Sequence, residues 1–294
     1  MSAGRFPESV QKGPILASSF KAAWVFAALA CGTSIAASVP AHAQAKLDAR
    51  YTATLAGLPL GKGAWVIDIA DDQYTAAASG LTTGLVRVFA PGEGSSASRG
   101  QISPQRLTPV SYAATITSDK KSEDVRMAMG GGSIKDYAIT PPTPPARERI
   151  PVTDAHLKNV LDPMTGTLVW VPGNGDLLTP DVCRRQFSVF DGRMRYDLNF
   201  EFKRMDKVKA DKGYEGPVVV CAVYFSPIAG YIPGRPAIKY LQKLRDMEVW
   251  LAPIAGTRVL VPFRFSVPTP LGTGVLEATQ FVSTASPTKA SVKP

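Results

Sequence analysis

The sequence lacks the short motifs that identify the common enzyme classes. It contains no Gly-x-Ser-x-Gly, His-Glu-x-x-His or Gly-x-Gly-x-x-Gly pattern and no phosphate-binding loop. Ser-x-x-Lys tetrads begin at Ser118 and Ser286, but the Ser-Asp-Asn and Lys-Thr-Gly motifs that accompany this tetrad in penicillin-binding proteins are missing. We therefore assign no catalytic residue from the sequence.

The sequence also lacks an apolar run long enough to cross a bilayer, which takes about 20 residues. An uncharged, mostly apolar run, Ala22–Ala37, precedes Ala41-His42-Ala43, a small-x-small pattern of the kind that signal peptidase recognises. We predict a signal peptide over residues 1–43, with cleavage between Ala43 and Gln44. The mature protein is then periplasmic and has no integral membrane span.

Cysteine and histidine are scarce, with three and two residues in the whole chain. Cys31 lies in the leader, where a lipoprotein cut before it is the alternative, although Ala28 stands where leucine is usual. His156, Cys183 and Cys221 remain after cleavage. An even pair of cysteines in an oxidising compartment predicts a Cys183–Cys221 disulfide, and a metal site is the disfavoured alternative. We predict no metal and no cofactor.

Acidic residues are outnumbered, and the formal net charge of the chain is +9. A basic exported protein meets anionic phospholipids, lipopolysaccharide and peptidoglycan, and salt weakens its attraction to them. Nucleic acid is a poor partner for an exported protein. The alternative is that the charge serves only solubility.

Short alternating runs, separated by glycine, proline and aspartate, follow one another from residue 51 onward and predict a meander of hairpins. We predict one mainly β domain over residues 44–282, with a proline-rich loop at 140–151 and a disordered tail at 283–294. Two short helices are expected, over residues 152–163 and 235–246. A sheet of this many strands must coil, which predicts an open barrel or spiral.

The stretch from Cys183 to Phe200 has the sequence of a hairpin. Asp191-Gly192 between alternating residues predicts a two-residue turn, with Phe190 opposite Arg193. One face then carries the apolar side chains and Cys183. The other face, which includes Arg193, Arg195 and Asp197, is expected to be wet.

Four residues are candidate ligand contacts. Arg193 and Arg195 lie one pleat apart and could hold a phosphate or carboxylate, but cross-strand pairing on the outer face is the favoured explanation. Glu248 and Trp250 share a strand face. Glu248 is either an acid with a raised pKa in a cavity or a residue at the rim.

In the hairpin and in two later stretches, the chain resembles a family of exported bacterial proteins catalogued as domain of unknown function 3108. The resemblance rests on "FDGRMRYDL", "VVVCAVYFSPIAGY" and "VLVPFRFSVPTPLGTGVLEATQF", and spans Tyr51 to Phe281. It implies a periplasmic protein with one long curled antiparallel sheet, like the lipoprotein carriers of Gram-negative bacteria. It implies no reaction, so no catalytic residue is carried over.

A sheet that coils incompletely leaves an apolar concavity suited to a lipid or peptide. Our leading hypothesis is a protein that binds an apolar or amphiphilic envelope component or supports envelope integrity, with a lipid, glycan or envelope protein as partner. One alternative is a cell-wall hydrolase, in which Glu248 or the Asp71-Asp72 pair would meet His156. Another is a structural partner of an envelope protein.

Overall fold

The computed structural model describes residues 45–84, 87, 90–119 and 121–285. The predicted signal peptide lies outside the described residues, and so do residues 286–294 of the predicted tail. The last strand runs as far as Ala285.

Fifteen strands form one sheet, which confirms the predicted fold class. The strands are β1 (Ala45–Leu55), β2 (Leu58–Ile69), β3 (Gln73–Thr82), β4 (Gly92–Ile102), β5 (Leu107–Ser118), β6 (Lys121–Gly130), β7 (Ser133–Thr140), β8 (Val169–Trp170), β9 (Arg185–Phe190), β10 (Arg195–Lys209), β11 (Lys212–Gly213), β12 (Glu215–Ala229), β13 (Glu248–Pro253), β14 (Val259–Thr269) and β15 (Gly272–Ala285). The α-helix α1 (Pro236–Lys243) follows β12.

The sheet order is β7-β6-β5-β4-β3-β2-β1-β15-β14-β13-β12-β10-β9, and the two outermost strands do not pair with each other. Successive strands pair in an antiparallel manner, while the two-residue β11 pairs in parallel with β15. The first and last strands therefore meet in the middle of the sheet and join two halves, β1–β7 and β9–β15.

The β1–β15 ladder extends from Ala45 opposite Ala285 to Leu55 opposite Gly274. Alternate β1 side chains, among them Leu47 and Ala49, are fully buried, as expected where one face of a strand is core. The sheet curls so that its two ends approach each other, and the Tyr137 ring on β7 packs 5.1 Å from the Phe190 ring on β9.

The connection from β7 to β8 bridges the two halves. The Val160 N–H donates to the Gly132 carbonyl of the β6–β7 turn, and Leu161 exchanges backbone hydrogen bonds with the edge of β9. This part of the chain was predicted to be helical. It is helical only in a 3-10 turn at Asp154–Leu157, because the backbone beyond it bonds to the β6–β7 turn and to β9 instead of to itself.

A buried polar cluster anchors this connection. Asp162 is fully buried and accepts hydrogen bonds from Ser98 of β4 at 3.1 Å and from the Thr165 hydroxyl at 2.5 Å. Its other oxygen accepts from the backbone N–H groups of Met164 and Thr165, both at 3.0 Å. The Tyr74 hydroxyl of β3 is hydrogen-bonded to Thr165 at 2.7 Å. A carboxylate can be buried here because donors surround it.

The predicted disulfide joins Cys183 to Cys221, with their Cα atoms 5.4 Å apart. Cys183 ends a 3-10 turn at Pro180–Cys183 and so does not lie on the first strand of the hairpin, where the sequence predicts it. Since β10 lies between β9 and β12, the disulfide fixes the start of β9 to a strand two positions along the sheet.

The buried carboxylate makes folding stability depend on pH. Burial raises the pKa of Asp162, and hydrogen bonds from Thr165 and Ser98 offset only part of this effect. The folded state therefore holds the proton more tightly than the unfolded chain, in which the pKa is about 3.9. The stability that protonation contributes is complete below that value and is lost as pH rises through the folded-state pKa.

We expect wild type to lose stability relative to Asp162→Asn as pH rises from about 4, because the amide does not titrate. Urea unfolding of both proteins between about pH 4 and pH 7 measures the difference. A difference that stays constant over this range would show that the carboxyl has an ordinary pKa in the folded protein.

Candidate functional site

The two halves of the sheet enclose an apolar cavity of about 760 Å³. One wall is formed by β1, β2 and β3, and the facing wall by β10 and β12–β15. The floor is the segment just after Asp162, which contributes Met164, Gly166, Thr167 and Val169. The same connection that bridges the sheet edges thus also closes one end of the cavity.

The space exists because small residues face large ones. On the first wall, β2 and β3 contribute Gly61, Gly63, Ala78 and Gly80. The opposite wall carries large apolar side chains: Leu198, Phe200, Val223, Phe225, Val249, Leu251, Phe265 and Val267. A Cβ built at Gly80 would touch nothing closer than 3.6 Å, so close packing does not require glycine there.

The cavity opens at one end, which we call the mouth. Deep in the cavity Tyr51 and Trp65 are buried, whereas Leu81 and Leu276 near the ends of their strands are 45% and 40% exposed. The β1–β2 and β14–β15 turns lie at this end. Helix α1 lies beyond the same end of β12 and contributes Leu241 to the lining.

The lining of the cavity is almost entirely apolar. Of the described residues that line the cavity, only Lys62, on β2 near the mouth, is charged, and it is exposed. The Tyr51 hydroxyl is already used, because it donates to the Pro262 carbonyl at 2.7 Å. Burial raises the pKa of Tyr51, so the phenol stays neutral.

The hairpin of β9 and β10 was predicted correctly, but its turn is two residues longer than predicted, which shifts the pairing register by two residues. Phe190 pairs with Arg195, not with Arg193. The turn spans Asp191–Met194, because the Asp191 carboxylate accepts the backbone N–H groups of Arg193 at 2.8 Å and Met194 at 2.7 Å. Only Gly192 of the turn has a positive φ, of 97°. Because the shift is two residues, the paired side chains of β9 and β10 stay on their predicted faces.

Arg193 and Arg195 each form an ion pair within the protein. Arg193 pairs with Glu123 of β6, across the gap between the sheet ends. Arg195 donates to Asp197 at 2.6 Å, and both side chains are only 12% exposed. Asp197 also accepts a hydrogen bond from Ser188 at 2.9 Å. This face was expected to be wet, but it is half-buried because the other end of the sheet curls over it.

Glu248 and Trp250 lie together on β13, and neither is among the cavity-lining residues. Burial would raise the pKa of Glu248, but hydrogen bonds from Arg204 and Lys203 outweigh burial and lower the pKa below its usual value. The Arg204 and Arg264 guanidinium groups lie 5.3 and 4.8 Å from the centre of the Trp250 ring. A role in ligand contact for Arg193, Arg195, Glu248 and Trp250 stays a prediction.

The hydrolase alternative placed acids beside His156. His156 instead accepts the Thr153 backbone N–H at 3.1 Å in the 3-10 turn, and Asp71 and Asp72 are exposed in the β2–β3 turn, away from the mouth. None of the three lines the apolar cavity. Among the described residues, no three His, Cys, Asp or Glu side chains cluster in a way that could hold a metal ion.

Sequence reasoning missed the residues that form the cavity. Alternation predicted strands in this part of the chain but could not tell that the opposite wall stays clear of them. The available signal was the row of glycines and alanines at inward positions, Gly61, Gly63, Ala78 and Gly80, within strands that otherwise bury large side chains.

Comparison with known proteins adds a family but no activity. A family model described as "Protein of unknown function (DUF3108)" matches residues 50–279. No curated protein matches the sequence significantly. Among solved structures, the chain is similar to the crystal structure of a beta-barrel-like protein of domain of unknown function DUF1849 from Brucella abortus. The TM-score is 0.46, with 8% identity over 83% of this chain and 100% of that chain.

The buried Arg195–Asp197 pair predicts a large effect of removing one partner. Arg195→Ala leaves the Asp197 carboxylate buried with only Ser188 as a side-chain donor, so we expect a loss of about 3 kcal/mol in the free energy of unfolding. Arg193→Ala is the matched control. Its pair with Glu123 is about one third exposed, which predicts a loss below about 1 kcal/mol. Equal losses in urea unfolding would contradict this assignment.

Proposed function

Because the chain belongs to the DUF3108 family, whose description names no function, we propose a function from the cavity itself: the protein binds an apolar or amphiphilic molecule of the cell envelope. The observation that carries this proposal is the open, apolar cavity of about 760 Å³ between the two halves of the sheet.

The size and chemistry of the cavity suit such a ligand. Small-molecule sites have volumes of roughly 300–1,000 Å³ and are lined mainly by apolar side chains. Phe225, Phe265 and Val267 of the lining are only partly buried. Covering apolar surface of this kind stabilises a complex by about 25 cal/mol per Å². A hydrocarbon chain would cover it without leaving a buried polar group unpaired.

The polarity of the cavity suggests the orientation of an amphiphile. The deep part, around Trp65 and Leu251, is buried and apolar. Lys62 and the solvent lie at the mouth. We therefore place the hydrocarbon part of the ligand deep in the cavity and its polar or anionic group at the mouth, where it stays hydrated.

An envelope ligand requires an extracytoplasmic protein. The disulfide between Cys183 and Cys221 favours an oxidising compartment. The sequence Ala41-His42-Ala43 after an apolar run favours export through a cleavable signal peptide and residence in the periplasm. No described helix is long and apolar enough to cross a membrane.

A substitution that fills the cavity tests the proposal. Ala78 lines the cavity on β3, so Ala78→Trp places an indole in the space that the ligand would occupy. We expect the affinity for N-phenylnaphthylamine, measured by fluorescence titration, to fall at least about tenfold. That loss corresponds to displacing about two methylene groups at roughly 0.8 kcal/mol each.

Ala77→Trp is the matched control, because the side chain of Ala77 is exposed on the opposite face of β3 from that of Ala78. It should bind the probe as wild type does. Wild type that does not bind the probe, or two tryptophan variants that bind it equally, would contradict ligand binding in this cavity.

A further inference from the structure

Exposed hydrophobic side chains concentrate around the mouth. Of the nine large ones among the described residues, six lie in a turn or within five residues of a strand end at the mouth: Leu58, Leu81, Ile116, Ile228, Leu271 and Leu276. The two most exposed are Leu58, at 70%, and Leu271, at 77%. Scattered exposed leucines are ordinary, but a group that surrounds one opening indicates an interaction surface.

The two most exposed leucines lie on adjoining turns. Leu58 begins β2 directly after the β1–β2 turn, and Leu271 lies in the β14–β15 turn. The Ala56 N–H of the first turn donates to the Thr273 carbonyl beside the second turn at 2.9 Å. Leu81 and Leu276, which line the cavity, continue this apolar surface into the mouth. We call Leu58, Leu81, Leu271 and Leu276 the leucine rim.

Basic side chains also lie at the mouth end of the molecule, on helix α1 and beside it. Helix α1, whose Leu241 lines the cavity, carries Lys239 and Lys243 four residues apart, and both are exposed. Arg235 and Arg245 flank the helix and are also exposed. The stretch from residue 235 to residue 245 contains four basic and no acidic residues. Residues four apart lie on one helix face, so the two lysines present their charges together.

This combination fits an anionic bilayer. Apolar side chains that enter the interface and basic side chains that meet anionic headgroups both contribute to the binding of peripheral proteins. We propose that the mouth docks on an anionic phospholipid surface, with the leucine rim in the interfacial region and the basic face of α1 against the headgroup phosphates. The inference rests on the proposed function, since docking directs the open end of the cavity toward the lipid.

Vesicle co-sedimentation tests the docking surface directly. The protein purified from its host is mixed with vesicles of phosphatidylcholine alone, or with about one third phosphatidylglycerol. We expect it to sediment with the anionic vesicles, and about 0.5 M salt to weaken this binding because screening acts on the basic side chains. Lys239→Glu with Lys243→Glu should weaken binding at least tenfold at low salt.

The leucine rim is tested by Leu58→Asp with Leu271→Asp, which should lower vesicle binding at least tenfold. Met205→Asp is the matched control, because Met205 is 45% exposed on β10, in the half of the strand away from the mouth. It should leave vesicle binding unchanged. Wild type that stays in the supernatant with both vesicle types would overturn the proposal, and so would rim variants that bind as wild type does.

A second copy of the chain could also cover the leucine rim. Native mass spectrometry distinguishes the two cases, because a wild-type dimer that dissociates in the rim variant would identify a dimer interface and overturn membrane docking. Titration of the same proteins with N-phenylnaphthylamine separates the two proposals. Probe binding without vesicle binding refutes only the docking surface. Vesicle binding without probe binding refutes the proposed function of the cavity.

Discussion

The structure depends on the pairing of the first strand with the last. β1 and β15 form a ladder from Ala45–Ala285 to Leu55–Gly274, which places both ends of the described β domain in the centre of the sheet. Two meanders then extend in opposite directions and curl toward each other. Because their outer strands do not pair, the interior is not sealed by a continuous barrel. The cavity is the space left between the two meanders.

Asp162 and its hydrogen-bond partners connect the two halves of the sheet. The Asp162 side chain joins the connection between β7 and β8 to Ser98 of the first half, while the neighbouring Leu161 pairs with β9 of the second half. The same segment forms the floor of the cavity. A buried carboxylate is costly unless donors surround it, so this segment can hold only one well-defined arrangement. The apolar cavity therefore ends on a segment that polar contacts hold in place.

Much of the fold could be predicted from the sequence because it follows from local patterns. Alternation predicted the strands, and the two cysteines outside the predicted leader, Cys183 and Cys221, predicted the disulfide. The hairpin turn was two residues longer than predicted because the Asp191 side chain, rather than the backbone alone, organises it. Asp162 went unrecognised because its partner Ser98 lies 64 residues away in sequence. The cavity was anticipated only as a concavity, since alternation identifies an inner face but not the distance to the opposite wall.

We propose that the cavity holds an apolar or amphiphilic ligand from the cell envelope. The most direct measurement is native mass spectrometry of the protein recovered from its own host, before and after extraction with organic solvent. Ligand binding in the cavity predicts an added mass that extraction removes, and the extract should contain a molecule with a hydrocarbon portion. A folded protein with an intact disulfide and no added mass would contradict the claim.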